Sequence, residues 1–183
     1  MAGGSAEKNG PKRKKRRAYL DDFHRDLNGE YHYEGRHVRY CGAVPRRKFL
    51  LRLWLLTGGG AALLLGCGCM PGATTGAPVY AALPFMLALV MMGLCVYALA
   101  RAAAGGDPMR LYVYEQTVKR LPARYMLAAV LAGVSAVGHG AWLAAAEREF
   151  FVWNAAFLAA SVLAAACSIC AFVLVRRTGF ELQ

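Results

Sequence analysis

The sequence predicts an all-α membrane protein. We expect a four-transmembrane-helix bundle with a small N-terminal cytoplasmic β-hairpin or meander and a short amphipathic helix in the central cytoplasmic loop. The 183 residues are 57% hydrophobic with a mean hydropathy of +0.33, more apolar than soluble domains usually are. The apolar residues form four long runs, each near the roughly 20 residues that a helix needs to cross a bilayer. Lys and Arg collect between alternate runs, as in multi-pass membrane proteins.

Residues 1–17 form a basic tail that ends in a run of six Lys and Arg residues, 12–17. The tail has almost no apolar surface to bury, so we expect it to be disordered. Its charge either serves only to fix topology or also attracts the anionic headgroups of the lipid bilayer. Nucleic acid is not an expected partner, because no aromatic or base-reading residues accompany the charge.

Residues 18–44 predict a small cytoplasmic β-ribbon, since they are rich in aromatic and β-branched residues and contain the turn pairs Asn28-Gly29 and Glu34-Gly35. A two-residue turn at the second pair would place each residue of 30–33 opposite one of 36–39. Alternation would then put four polar side chains on one face, a candidate interaction surface: Glu30, His32, His37 and Arg39. Alternatively, Leu20, Phe23 and Leu27 have the spacing of a helical first element.

The histidines of this ribbon raise the question of a metal site. Two cross-strand histidines can share an ion, but a structural site needs a fuller ligand set, and only Cys41 lies nearby in sequence. The other cysteines lie within or at the ends of apolar runs, where cysteine usually acts as a small apolar side chain. We therefore expect neither a metal nor a cofactor.

The four spans are predicted at about 49–70, 78–101, 125–146 and 150–175. Arg52 lies one turn inside the first span, close enough to the interface for its guanidinium to reach water. Residues 64–67 resemble a lipobox, but the segment ahead of them is much longer than the leader of a signal peptide. Residues 178–183 are expected to form a C-terminal tail.

The central loop, 102–124, predicts a short amphipathic helix. Asp107 and Pro108 are a typical cap and first helical residue, and Pro122 would end the helix. An apolar stripe at spacings of three and four would lie on the membrane surface or cover the β-ribbon, and we assign it to the same candidate interaction face as the polar residues of the ribbon. The stripe consists of Leu111, Tyr114, Val118 and Leu121. The alternative is a solvated loop with accidental periodicity.

The positions of the basic residues predict the orientation. Of the 22 Lys and Arg residues, 14 precede or lie at the start of the first span, 5 lie between Arg101 and Arg124, 2 close the fourth span and 1 is Arg148. Because Lys and Arg favour the cytoplasmic side, we expect both termini in the cytoplasm. The alanine- and glycine-rich spans, and what reads as the absence of a cleavable leader, fit the inner membrane of a bacterium.

Small residues predict how the spans pack, because helices in lipid associate through close contact. Span 3 has Ala128, Ala132, Ala136 and Gly140 at four-residue spacing, with Gly133 beside them, and span 4 has Ala156, Ala160, Ala164 and Ser168. We expect a tight antiparallel hairpin of spans 3 and 4, which span 1 approaches through Gly58–Gly60 and Gly66. Within the hairpin, His139 and Asn154 form a candidate polar pair that either locks the two helices or lines an outward-facing pocket.

These features favour a non-enzymatic interaction or accessory protein that acts through its cytoplasmic face. Its partners would be the bilayer and a membrane protein or a second copy of the chain. The alternative is a small oligomeric transporter or channel subunit that uses His139 and Asn154. A membrane enzyme is less well supported, because no acid–base pair occurs at a suitable depth.

Overall fold

A computed structural model describes residues 23–25, 31–33, 36–69, 78–145 and 151–182. Four helices in these ranges are long and apolar enough to cross a membrane, which indicates a multi-pass membrane protein. They are α1 (Arg46–Gly68), α2 (Val79–Ala104), α4 (Leu121–Ala145) and α5 (Phe151–Arg176). The remaining elements are β1 (Phe23–Arg25), β2 (Tyr31–Tyr33), β3 (His37–Tyr40), β4 (Met109–Arg110), the short helix α3 (Leu111–Gln116), a 3-10 turn (Val118–Arg120) and β5 (Phe180–Leu182).

The four predicted spans are confirmed as helices, with ends that differ by a few residues. α1 begins at Arg46, directly after Pro45. Proline disfavours the helical conformation in the residue before it, so the helix does not extend further toward the N-terminus. α2 continues through Pro84, although that residue has no amide hydrogen for the carbonyl of Tyr80. The Ser135 hydroxyl of α4 donates a hydrogen bond to the carbonyl of Ala81 at 3.0 Å, so α4 contacts the backbone of α2 one residue after the carbonyl that lacks its helical donor.

The helices form a ring in which α1 packs on α2 and α5, and α4 packs on the same two helices. Sequence neighbours are therefore also neighbours in space. The starts of α1 and α4 and the ends of α2 and α5 lie together, since β3, β4 and β5, which adjoin these helix ends, share one sheet. We call this end of the bundle the sheet end. Many large apolar side chains remain exposed on the outer faces of the helices, among them Leu55, Val90, Val130 and Val162, as expected for a surface that meets lipid.

Small residues mediate the close helix contacts, but only some of the predicted ones do so. Ala128, Ala132 and Ala136 of α4 are buried, and a Cβ on Gly140 would lie 3.1 Å from Leu158 of α5. In α1 only Gly60 makes a close approach, where a Cβ would lie 2.8 Å from Met92 and 3.6 Å from Cys167. The prediction was wrong for Gly58, Gly59, Gly66 and Gly133, because no described atom of a neighbouring helix lies within 4 Å of a Cβ there.

The sheet at the sheet end corrects the predicted meander. β3 is its middle strand and pairs antiparallel with β4 on one edge and with β5 on the other, with Val38 opposite both Met109 and Leu182. A strand has only two edges for pairing, and both edges of β3 are occupied. His37 therefore lies opposite Arg110 instead of His32, so the register predicted for 30–39 was wrong.

The first two strands form a separate antiparallel pair, in which His24 lies opposite His32 and Phe23 opposite Tyr33. Phe23 thus lies in a strand, not in the alternative helical element. The predicted turn at Asn28-Gly29 and residue Glu30 lie outside the described residues, as do Glu34-Gly35 and the basic tail.

The central loop is helical over a shorter stretch than predicted. Asp107 and Pro108 precede strand β4, so the helix begins at Leu111. Pro122 does not end this helix, because it lies in the first turn of α4, where a missing amide hydrogen is tolerated. The loop packs on the sheet: the Tyr114 ring lies 5.2 Å from the Phe180 ring of β5.

Residues 180–182 form strand β5, although this region was expected to be a tail. Phe180 also lies 5.7 Å from the ring of Tyr40, which itself lies 5.4 Å from Phe49 at the start of α1. The Tyr40 hydroxyl donates to the carbonyl of Val44 at 2.7 Å. This aromatic cluster joins the sheet strands β3 and β5 to α1 and α3, so side chains attach the sheet to the start of the bundle and to the loop helix.

Candidate functional site

The structure brings His139 and Asn154 together between α4 and α5. Nε2 of His139 lies 3.2 Å from Oδ1 of Asn154, and the two residues are only 1% and 4% exposed. An amide oxygen can only accept, so Nε2 donates, and in the neutral ring Nδ1 then carries a lone pair. The imidazole packs on Phe157, with ring centroids 4.4 Å apart, and on Trp142 at 5.3 Å.

The glycines beside His139 allow neighbouring helices to surround it. A Cβ at Gly138 would lie 3.2 Å from the Tyr80 ring and 3.4 Å from Ala81, so α4 lies close to α2 there. Gly140 provides the corresponding approach to α5. The pair is thus enclosed on two sides, and its burial makes it an interhelical contact in this conformation.

The pair has one unsatisfied atom. Nδ1 of His139 is buried and has no hydrogen-bond partner among the described residues, and the same is true of the Ser161 hydroxyl. None of the four long helices contains Asp or Glu. A histidine without a carboxylate in its own span can accept or donate a proton, but the helices offer it no acidic group to which the proton could pass.

The predicted polar face of the ribbon is found in part on the three-stranded sheet. Val38 is buried and Arg39 exposed, so β3 alternates as predicted. The outward face combines residues from all three strands: His37 opposite Arg110, and Arg39 opposite Glu181. Only the backbone of His32 is described, and it lies on the other strand pair.

The apolar stripe of the loop is an internal contact, which corrects its assignment to a partner-binding face. Val118 and Leu121 are 7% and 1% exposed, because they pack beneath the sheet and inside the bundle. Leu111 and Tyr114 are half-buried. The stripe packs against the chain itself because the end of α2 and strand β5 supply the apolar surface that the sequence could not reveal.

None of the six cysteines forms a disulfide. Cys67 and Cys95 are buried within the bundle, whereas Cys41, Cys69 and Cys170 are exposed. In the ranges that the structure describes, no group of three His, Cys, Asp or Glu residues could hold a metal ion. Desolvation raises the pKa of the Cys41 thiol, and the adjacent Glu181 carboxylate raises it further.

Sequence reasoning missed a buried hydrogen bond across the bundle. The Tyr125 hydroxyl of α4 lies 2.7 Å from Oγ1 of Thr57 on α1, the helix diagonally opposite, and both residues are fully buried. Thr57 donates its own hydrogen to the carbonyl of Leu53 at 2.7 Å, so the tyrosine is the donor to Thr57. Neither residue belongs to a local pattern; only a Thr and a Tyr inside apolar runs could have suggested the bond.

Comparison of the chain with protein-family models, with curated proteins and with the solved structures finds no match.

Proposed function

We propose that this chain is a non-enzymatic interaction or accessory protein of the inner membrane that acts through its sheet end, which faces the cytoplasm. The observation that carries the proposal is that the three-stranded sheet, α3 and the aromatic cluster all lie at one end of the bundle. The aromatic cluster joins β3 and β5 to α1 and α3, and a surface that is held in place before binding loses less entropy when it binds.

The charge of the sheet end supports the proposed orientation. Basic side chains surround the sheet, and the described acidic ones at this end are only Asp107, Glu115 and Glu181. Lys and Arg next to transmembrane helices remain on the cytoplasmic side. The basic residues are Arg36, Arg39, Arg46, Arg47, Lys48, Arg52, Arg101, Arg110, Lys119, Arg120, Arg124, Arg176 and Arg177.

Two native cysteines at opposite ends of α1 test the orientation. Cys41 and Cys69 are both exposed. In single-cysteine variants with the other five replaced by alanine, we expect a membrane-impermeant maleimide to label Cys69 but not Cys41 in intact cells. Inverted vesicles should show the reverse. Labelling of Cys41 in intact cells would contradict the orientation.

The labelling rate of Cys41 in inverted vesicles should also depend on pH. Because the pKa of Cys41 is raised, its thiolate fraction is small at neutral pH, so labelling should accelerate as pH rises and be faster in Glu181→Gln.

The outward face of the sheet is the proposed contact surface for a membrane-protein partner or a second copy. We expect Arg39→Glu/Arg110→Glu to abolish cross-linking to a partner in native membranes, because like charges then replace complementary ones. The matched control, Arg47→Glu/Lys48→Glu, makes the same charge change on α1 at the same end and should retain the partner. Equal loss in both variants would attribute the effect to net charge and contradict a specific surface.

The unsatisfied Nδ1 of His139 is the one observation that favours the alternative, a small transporter or channel subunit. The interaction proposal predicts that liposomes containing the purified chain conduct H⁺, Na⁺ and K⁺ no faster than empty liposomes. Protein-dependent flux that His139→Ala abolishes and Ser161→Ala preserves would instead support transport through the polar pair. His139→Ala should destabilise the bundle by more than about 0.6 to 1.7 kcal/mol, the usual range for an interhelical hydrogen bond in membranes, because it also removes a buried ring that packs on Phe157.

A further inference from the structure

A basic cleft lies where α2 ends and α4 begins. It has a volume of about 250 Å³ and no carboxylate among its lining residues, which are Tyr97, Ala98, Arg101, Gln116, Thr117, Arg120 and Arg124. Three arginines therefore line one concave site. Like charges that line one cleft repel one another, so an anion bound in the cleft would stabilise them.

Neighbouring groups hold two of the three arginines in place. Nη1 of Arg101 donates to Oε1 of Gln116 at 3.2 Å, and its guanidinium lies 5.8 Å from the centre of the Tyr112 ring. Nη1 of Arg124 donates to the carbonyl of Leu94 at 3.4 Å. A guanidinium has five N–H donors, so each of these arginines retains donors for a ligand. The nearest acidic residue in sequence, Glu115, pairs with Lys119 at 3.2 Å and does not line the cleft.

The cleft continues into an apolar strip on the outer face of α2. Leu94 and Val90 are exposed and lie one helical turn apart, so they share a face directly below the residues that line the cleft. Tyr97, also exposed, lies between the strip and the arginines, at the depth where amphipathic rings occur in membrane proteins. A ligand with a phosphate above and hydrocarbon chains below would match both parts.

We infer that this cleft binds the headgroup of an anionic phospholipid, with the phosphate among Arg101, Arg120 and Arg124 and an acyl chain along Val90 and Leu94. Basic pockets between transmembrane helices on the cytoplasmic side are known to suit such headgroups. A zwitterionic choline lipid carries the same phosphate, but its ammonium group would enter a cluster of cations. The inference deepens the proposed function and rests on its orientation, which places the cleft in the cytoplasmic leaflet.

The test uses the full-length chain purified in detergent and native mass spectrometry with added lipid. We expect dioleoyl phosphatidylglycerol to bind about tenfold more tightly than dioleoyl phosphatidylcholine. In Arg120→Gln/Arg124→Gln, the two lipids should bind about equally. The control Arg47→Gln/Lys48→Gln removes the same charge at the same end, outside the cleft, and should change binding less than about threefold. The thermal stability of both variants shows whether they remain folded.

Several outcomes would overturn the inference. Equal binding of the two lipids, or equal losses in the two double variants, would show that the cleft recognises no headgroup. Glycerol phosphate is the third ligand: if it binds as tightly as phosphatidylglycerol, the site takes a soluble phosphate compound and the lipid assignment fails. Because no partner protein is present, these results are independent of the cross-linking experiment, so either proposal can fail alone.

Discussion

Tyr125→Ala is expected to lower the free energy of unfolding by about 3 to 5 kcal/mol, the range for removing a buried aromatic ring. Tyr125 is 0% exposed and is among the largest fully buried side chains in the described part of the bundle. The substitution leaves a cavity between α4, α1 and their neighbours that packed helices cannot close completely. Unfolding in SDS, or by steric trapping in detergent, measures the loss.

Removing the two partners of the Tyr125 hydrogen bond one at a time should have unequal costs. Tyr125→Phe removes the donor but leaves Thr57 bonded to the carbonyl of Leu53, so its cost should be only about 0.6 to 1.7 kcal/mol. Thr57→Val keeps the tyrosine and leaves its buried hydroxyl without a partner, which should cost more, about 1 to 3 kcal/mol. If Tyr125→Phe proves as costly as Thr57→Val or Tyr125→Ala, the hydroxyl geometry described here is incorrect.

Phe180→Ala is expected to detach β5 and open the sheet without disrupting the four long helices. The half-buried ring contacts both Tyr40 and Tyr114, so we expect a local loss of about 2 kcal/mol, part of the value for a fully buried aromatic residue. Hydrogen exchange of the backbone amides measures this. The Cys41 amide, which donates to the carbonyl of Gly179 at 3.1 Å, should exchange much faster, whereas amides in the middle of α2 should not change.

Leu182→Ala is the matched control for this experiment. Leu182 belongs to the same strand and pairs with Val38, but its side chain is 62% exposed. The substitution should therefore change local stability by no more than about 0.5 kcal/mol. Equal acceleration of exchange in Phe180→Ala and Leu182→Ala would show that strand pairing, and not the aromatic cluster, holds β5.

The long helices could be predicted from sequence because each is a continuous apolar run, and a bilayer demands such runs. The meeting of His139 and Asn154 could also be anticipated, since a short connection between two spans brings the residues near it together, and these two lie within about one helical turn of the same depth. In both cases the residues that determine the structure lie within one span or in two spans joined by a short connection.

The sheet could not be predicted, because its strands are far apart in sequence and very short. β4 has two residues and β5 has three, too few for an alternating pattern, and the partners of β3 lie about 70 and 140 residues away. The Thr57–Tyr125 bond was missed for a related reason: it joins diagonal helices, and only the arrangement of the whole ring brings them together. The basic cleft likewise combines residues from α2, α3 and α4.

The position of β5 in the sheet has a consequence for biogenesis. Ribosomes synthesise β5 after α5, and β5 covers one edge of β3, a strand made before any of the four helices. The edge of β3 therefore stays open throughout insertion and closes only once the final helix has been threaded into the bilayer. Until β5 has paired, the chain presents a bare strand edge to proteases and chaperones, and the pairing then hides that edge.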